Sequence, residues 1–152
     1  MKILLLSFSP DFGGTLEADI LTAQLKRQRY PTMHVGMSDE ILDAALVEAF
    51  QPDVIGLFHS FRYPKWNMYI IKRIREIFEG QDIPICMCVD FQYGYQRKIL
   101  QEYPEISYVI SGESEGAWLQ FLERLDHDQS MESCPNLTSR DSVNKDEEAG
   151  IP

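Results

Sequence analysis

The sequence has neither a Walker loop nor a dinucleotide Gly-x-Gly-x-x-Gly turn, which excludes the two commonest nucleotide cradles. It is short of bases: 14 Lys and Arg stand against 24 Asp and Glu, a net charge of −10. A phosphate backbone needs a basic face, so no nucleic-acid partner is expected, and an anionic membrane surface is disfavoured. No apolar run is long enough to span a bilayer, and the one behind Met1-Lys2 is too short for a signal peptide. Three cysteines, Cys86, Cys88 and Cys134, form no even disulfide framework, so a reducing cytoplasm is the expected setting. Histidine is scarce too. His34 and His127 carry no signal, and His59 alone falls at the end of a strand.

What is present is a strict alternation of strand and helix. Ile3–Leu6, Met33–Val35, Val54–Phe58, Ile83–Val89 and Tyr108–Ile110 are short apolar runs of the kind covered on both faces. A helical pattern follows each. The first helix has Thr15 as N-cap and Leu16, Ile20, Ala23 and Leu25 as its inner face. The second, capped by Ser38 or Asp39, has Ile41, Leu42, Ala45, Leu46 and Ala49 inward. The third starts at Pro64 and turns Trp66, Ile70, Ile74, Ile77 and Phe78 inward. Right-handed crossovers then predict an α/β fold: a flavodoxin-like, doubly wound, five-stranded parallel sheet of order 2-1-3-4-5, with helices on both faces. The domain is expected over residues 1–125. From Asp126 the chain has seven acids against two bases and reads as an acidic polar tail or linker, 126–152.

In such a sheet ligands sit at the carboxyl edge, between the first and third strands. The loops there are Ser7–Thr15 and His59–Tyr63, with Asp90–Gly94 beside them. They carry Phe8, Phe12, His59, Phe61, Tyr63, Phe91, Tyr93 and Tyr95, which suit a large flat ligand or, alternatively, tuck under the loops as satellite core. Gly13, Gly14 and Thr15 open the first helix, where free amides can hold an anion such as a phosphate, although glycine pairs also serve plain turns. His59 could meet a metal or donate to a ligand, or simply bond to a neighbouring loop. Cys86 and Cys88 share one face of a buried strand and read as core. No metal site, no nucleophile elbow and no catalytic residue is expected. A phosphate-receiver site is excluded, because its acids and lysine are replaced by Ser7-Phe8, His59 and Ser111.

Several stretches resemble the cobalamin-binding-type domain at the N-terminus of many radical S-adenosylmethionine enzymes. Pro52-Asp53-Val54-Ile55-Gly56-Leu57 is similar to that family's Pro-Asp-Val-Val-Gly-Ile strand, and Asp82-Ile83-Pro84-Ile85 to the approach to its fourth strand. Tyr103-Pro104-Glu105-Ile106-Ser107-Tyr108-Val109-Ile110-Ser111-Gly112-Glu113-Ser114-Glu115 resembles its Tyr-Pro-x-Ile-Asp-Tyr-Val-Val-x-Gly-Glu-Gly-Glu. Cys134-Pro135-Asn136-Leu137-Thr138-Ser139-Arg140-Asp141 is similar to the stretch that leads to the radical barrel. The resemblance implies a corrinoid on the carboxyl edge. Its contacts would be Phe12, Gly13, Gly14, Thr15, His59, Ser60, Phe61, Tyr63, Val89, Asp90, Phe91, Gly112 and Glu113. It also implies a radical barrel as partner. The Cys-x-x-x-Cys-x-x-Cys loop for that barrel's iron–sulfur cluster is not in this chain. Where the family often has Gly-Gly-Pro-His, this chain has Cys88, Val89, Asp90 and Phe91, and Phe58 stands where a small serine is usual. Two alternatives stay open: a relative that binds no cofactor and serves as an interaction or regulatory module, or a flavin or another tetrapyrrole at the same edge.

Overall fold

The structure, a computed structural model, describes residues 1–39, 41–89, 95–112 and 114–150, with Ser114 described by its backbone alone. Two compact units divide it, Met1–Pro84 and Ile85–Pro152. The first holds β1 (Ile3–Phe8), α1 (Leu16–Arg27), β2 (Thr32–Met37), α2 (Ala44–Phe50), β3 (Val54–Phe58) and α3 (Pro64–Ile77). The second holds β4 (Ile85–Val89), α4 (Tyr95–Glu102), β5 (Tyr108–Ser111), α5 (Ser114–Asp126), β6 (Leu137–Ser139) and α6 (Arg140–Glu148).

The strand order is β2-β1-β3-β4-β5-β6, so the sheet has six strands where five were expected. The added strand comes from the stretch read as an acidic tail. Its three residues pair antiparallel with β5, Tyr108 opposite Ser139 and Ile110 opposite Leu137. The sequence gives β6 little apolar signal because all three of its residues are only half-buried. Arg140 holds the joint to α6. Its guanidinium donates to the carbonyls of Leu100, Tyr103 and Ile106.

In the first unit β1 is central, parallel to β2 on one side and to β3 on the other. Ile3 to Leu6 and Val54 to Leu57 are fully buried apart from a trace at Leu57, as strands covered on both faces should be. Two helix faces differ from expectation. In α1 the buried stripe is Ala18, Leu21 and Leu25, while Leu16, Ile20 and Ala23 face outward. In α2 the N-cap is Asp43, whose carboxylate accepts the Leu46 N–H at 3.1 Å. Asp39 instead closes a turn on the Ile41 N–H at 2.9 Å. Starting the helix later shifts its phase. Leu42 and Val47 are buried, while Ile41, Ala45, Leu46 and Ala49 are exposed.

Candidate functional site

The chain leaves β1 for β2 on one side and returns to β3 on the other, so the direction of winding reverses between β1 and β3. The loops after these strands, both in the first unit, are held by different devices.

In the first loop Ser7 is fully buried at the end of β1. Its Oγ accepts the Thr15 N–H at 3.1 Å and lies 2.7 Å from His34 Nε2. His34 Nδ1 is 3.0 Å from Asp19 Oδ1. With the ring proton on Nδ1, Ser7 donates to Nε2 and Nδ1–H donates to Asp19, so each donor in the chain has an acceptor. This has the connectivity of a hydrolase triad, but the serine oxygen is buried and already engaged by a backbone amide. It acts as a clamp joining β1, β2 and α1. Gly14 shows how close the clamp draws them. At φ +118° its missing Cβ would lie 2.8 Å from the Gly36 Cα of β2, and a Cβ on Gly36 would run into the Gly13 carbonyl. The Gly13 N–H donates to Ser9 at 2.9 Å, and Thr15 caps α1 by accepting the Ala18 N–H at 3.3 Å. Two amides of the expected anion turn, those of Gly13 and Thr15, therefore already have partners.

In the second loop a buried asparagine that the sequence did not single out does the holding. Asn67 accepts the Ser60 N–H at 2.9 Å and donates to the Ser60 carbonyl at 2.8 Å. His59 packs edge-to-face on Phe61 with ring centres 4.6 Å apart.

Aromatic rings link the two loops. Phe8 stacks on Trp66 at 5.4 Å and meets Tyr63 edge-on at 5.1 Å. Phe12 is 88% exposed, Phe61 52% and Tyr63 39%, so three of the predicted contact residues present rings to solvent at the rim of these loops. Trp66, only 1% exposed, has a buried Nε1–H with no acceptor among the described residues. An unmet buried donor costs about 1–3 kcal/mol and calls for an explanation.

Val89 and Gly112 belong to the second unit, where the Gly112 N–H donates to the Val89 carbonyl at 3.0 Å. Asp90, Phe91, Tyr93 and Glu113 lie outside the described residues. Against the expectation of no nucleophile elbow, Gly112-Glu113-Ser114-Glu115-Gly116 spells Gly-x-Ser-x-Gly, running from the end of β5 into α5. The side chain of Ser114 is likewise outside the description. Cys86, Cys88 and Cys134 are buried free thiols. Burial pushes the Cys86 thiol well above its ordinary 9.0, with Cys88 and Cys134 adding to the effect. The Trp118 indole donates to Cys88 Sγ at 3.1 Å. Among the described residues no group of three or more His, Cys, Asp or Glu could hold a metal ion. A cavity of about 420 Å³ in the second unit, lined in part by Tyr108, Arg124, Asp141 and Lys145, was not foreseen. There Arg124 is taken up by the carbonyls of Ser130 and Glu132.

No protein-family model matches the chain, and no curated protein does. Solved structures do. The radical S-adenosylmethionine methyltransferase TsrM from Kitasatospora setae superposes with a TM-score of 0.69 at 18% identity, over 91% of this chain and 28% of that one. The cobalamin-dependent radical enzyme OxsB, solved with aqua-cobalamin and S-adenosylmethionine, gives 0.69 at 17% identity, over 91% and 21%. Its apo form gives 0.71 at 16% identity, over 91% and 20%. The chain has the fold of a segment of cobalamin-dependent radical enzymes. It spans 20–28% of the length of these structures, and at such identity the likeness is one of fold. Among the described residues no helix is long and apolar enough to cross a membrane.

Proposed function

We propose that this chain binds a corrinoid at the carboxyl ends of β1 and β3, as one module of a radical S-adenosylmethionine system. The observation that carries this reading is the exposed aromatic rim of Phe12, Phe61 and Tyr63 on two clamped loops at the point where the winding reverses. Exposed rings on rigid supports offer a flat apolar surface at little ordering cost, which suits the face of a macrocycle. The residues present fit that group at the rim. The cobalt chemistry would come from the corrinoid, while Phe12, Phe61 and Tyr63 bind and orient it and Asn67 and the Ser7–His34 clamp hold their loops. His59, Ser60 and the Gly13–Thr15 turn border the same surface. Val89, Asp90, Phe91, Gly112 and Glu113 are contacts by resemblance. The reaction and substrate belong to a radical barrel, in the same polypeptide or a separate one.

The test is a titration of the purified chain with hydroxocobalamin, followed by gel filtration and a visible spectrum. Corrinoid that co-elutes at close to one per chain with a shifted spectrum is the expected result. A colourless protein peak at an excess of about tens of micromolar overturns it.

A second reading draws on a specific observation. Leu16, Ile20, Ile41, Leu46 and Met68 of the first unit are also exposed, beyond what a cofactor rim needs. Exposed apolar side chains in this number suit contact with a protein partner. On this reading the chain is a protein-binding or regulatory module, and a defined oligomer or complex without corrinoid is the outcome that selects it.

A further inference from the structure

We infer that Trp66 is a ligand-reading donor at this site: its indole N–H is held in reserve for an oxygen acceptor of the bound corrinoid. The inference deepens the corrinoid reading and rests on it.

Three features place Trp66 at the site. It lies in the first turn of α3, two residues after Pro64 and three after Tyr63. Its ring stacks on Phe8, the last residue of β1, and Phe8 in turn meets Tyr63 of the rim. The neighbouring Asn67 is the residue that ties the His59–Tyr63 loop to the helix. A buried indole N–H in a settled core finds a partner, as that of Trp118 does on Cys88. That of Trp66 has none among the described residues.

The ring packed on Trp66 is of the kind that can yield. Phe8 is only half-buried and is itself met by Tyr63, which is 39% exposed, so this packing can loosen by side-chain rotation without moving a strand. The rim would then take the apolar face of the macrocycle, and Trp66 would select for a carbonyl or phosphate oxygen hanging from it. Aromatic contact is tolerant of what it touches. A buried donor is not, because a ligand without the acceptor leaves it unmet. The acceptor has two sources in a corrinoid, the peripheral carboxamides and the nucleotide tail, and they share oxygen-acceptor chemistry.

Trp66→Phe tests this, since it keeps the ring and deletes the N–H. Native and variant chains are titrated with hydroxocobalamin and with dicyanocobinamide, which keeps the carboxamides and lacks the nucleotide. A roughly tenfold loss of affinity for both corrinoids supports the inference with a carboxamide acceptor, and a loss for hydroxocobalamin alone supports it with an acceptor on the tail. Equal affinities in native and variant overturn it while corrinoid binding stands. If the native chain binds neither corrinoid, both readings fall. Should the variant not fold, the indole ¹⁵N–H resonances of the native chain decide the matter, with that of Trp118 identified by Trp118→Phe. A downfield shift of the Trp66 proton on binding supports the inference, and an unmoved Trp66 resonance in a saturated complex overturns it.

Discussion

Each unit buries one tryptophan, and the two are treated differently. In the second unit Trp118 is fully buried, donates to Cys88 and packs edge-on against Phe121 at 5.5 Å. In the first, Trp66 is as well buried but has its N–H unmet among the described residues and its ring stacked on Phe8, which is only half-buried and meets the exposed Tyr63. The same contrast runs through the rest of the described residues. Of the large apolar side chains that stand exposed, all but Tyr95 lie in the first unit. The described part of the second unit is closed by polar bonds: Arg140 on three carbonyls, Arg97 on Asp146 at 2.8 Å, and Gln101 on Glu147 at 3.0 Å. Its described residues read mainly as scaffold. The other holds its loops firmly but leaves their tips apolar, as a surface awaiting a ligand or partner should.

The largest stability effect is expected in the second unit. Arg140→Ala removes a charged donor from three carbonyls and should cost about 3 kcal/mol, with Arg140→Lys recovering only part. Urea unfolding followed by Trp118 emission in a Trp66→Phe background measures it, and an unchanged midpoint would mean that β6 and α6 are held by something else. Next comes Asn67→Ala. It strips both bonds from Ser60 and should cost about 2 kcal/mol, with hydrogen exchange speeding up in residues 59–63 and not in the second unit.

Alkali should separate the units by a different route. Burial raises the pKa of Cys86, Cys134 and Tyr108, and Asp141 raises that of Tyr108 further. All three belong to the second unit, and in each the folded chain keeps its proton to higher pH than the unfolded chain does. This contribution is intact below the ordinary thiol and phenol range and is lost as pH rises from there through the raised values of the folded chain. The urea midpoint of the second unit should therefore fall above about pH 9, and Cys86→Ala with Tyr108→Phe should flatten the fall. An equal fall in the double variant would show that the titration lies elsewhere.

A smaller effect belongs to the first clamp. Ser7→Ala removes the acceptor of the Thr15 N–H and the partner of His34, and should cost about 1–2 kcal/mol. Asp19→Asn should cost much less, because that carboxylate is 69% exposed. A charge placed at Gly14 reports packing against Gly36 and so cannot serve as a clean test of anion binding.

The sequence made some of this legible and hid the rest for identifiable reasons. Thr15 as cap and Pro64 at the first turn are local chemistry, and both are where they were expected. β1, β3, β4 and most of β5 announce themselves because they are covered on both faces, whereas β2 is only half-buried. The phase of α1 was misjudged because its chain carries two apolar stripes, and only tertiary packing decides that Ala18, Leu21 and Leu25 go inward. The clamp was invisible because Ser7 and His34 are 27 residues apart and neither looks unusual alone. Asn67 was hidden by the apolar pattern around it, and β6 by its polarity. Aromatic rim residues were the one part of the candidate site that composition could flag, since exposed rings near a strand end need no partner elsewhere in the chain.

That rim is where the smallest stability effect and the most telling functional one are expected together. Phe12→Ser with Phe61→Ser changes side chains that are 88% and 52% exposed, so stability should move by no more than about 0.5 kcal/mol. If the first unit takes a corrinoid on these rings, hydroxocobalamin should stop co-eluting with a chain that unfolds at the native urea concentration. If the rings meet a protein instead, corrinoid is indifferent to the change and the oligomer or complex dissociates. Retention of both properties would return Phe12 and Phe61 to the ordinary surface and move the search toward Trp66 and the second unit's cavity. The double variant thus separates a surface that is unfinished because it binds from one that is merely uncovered.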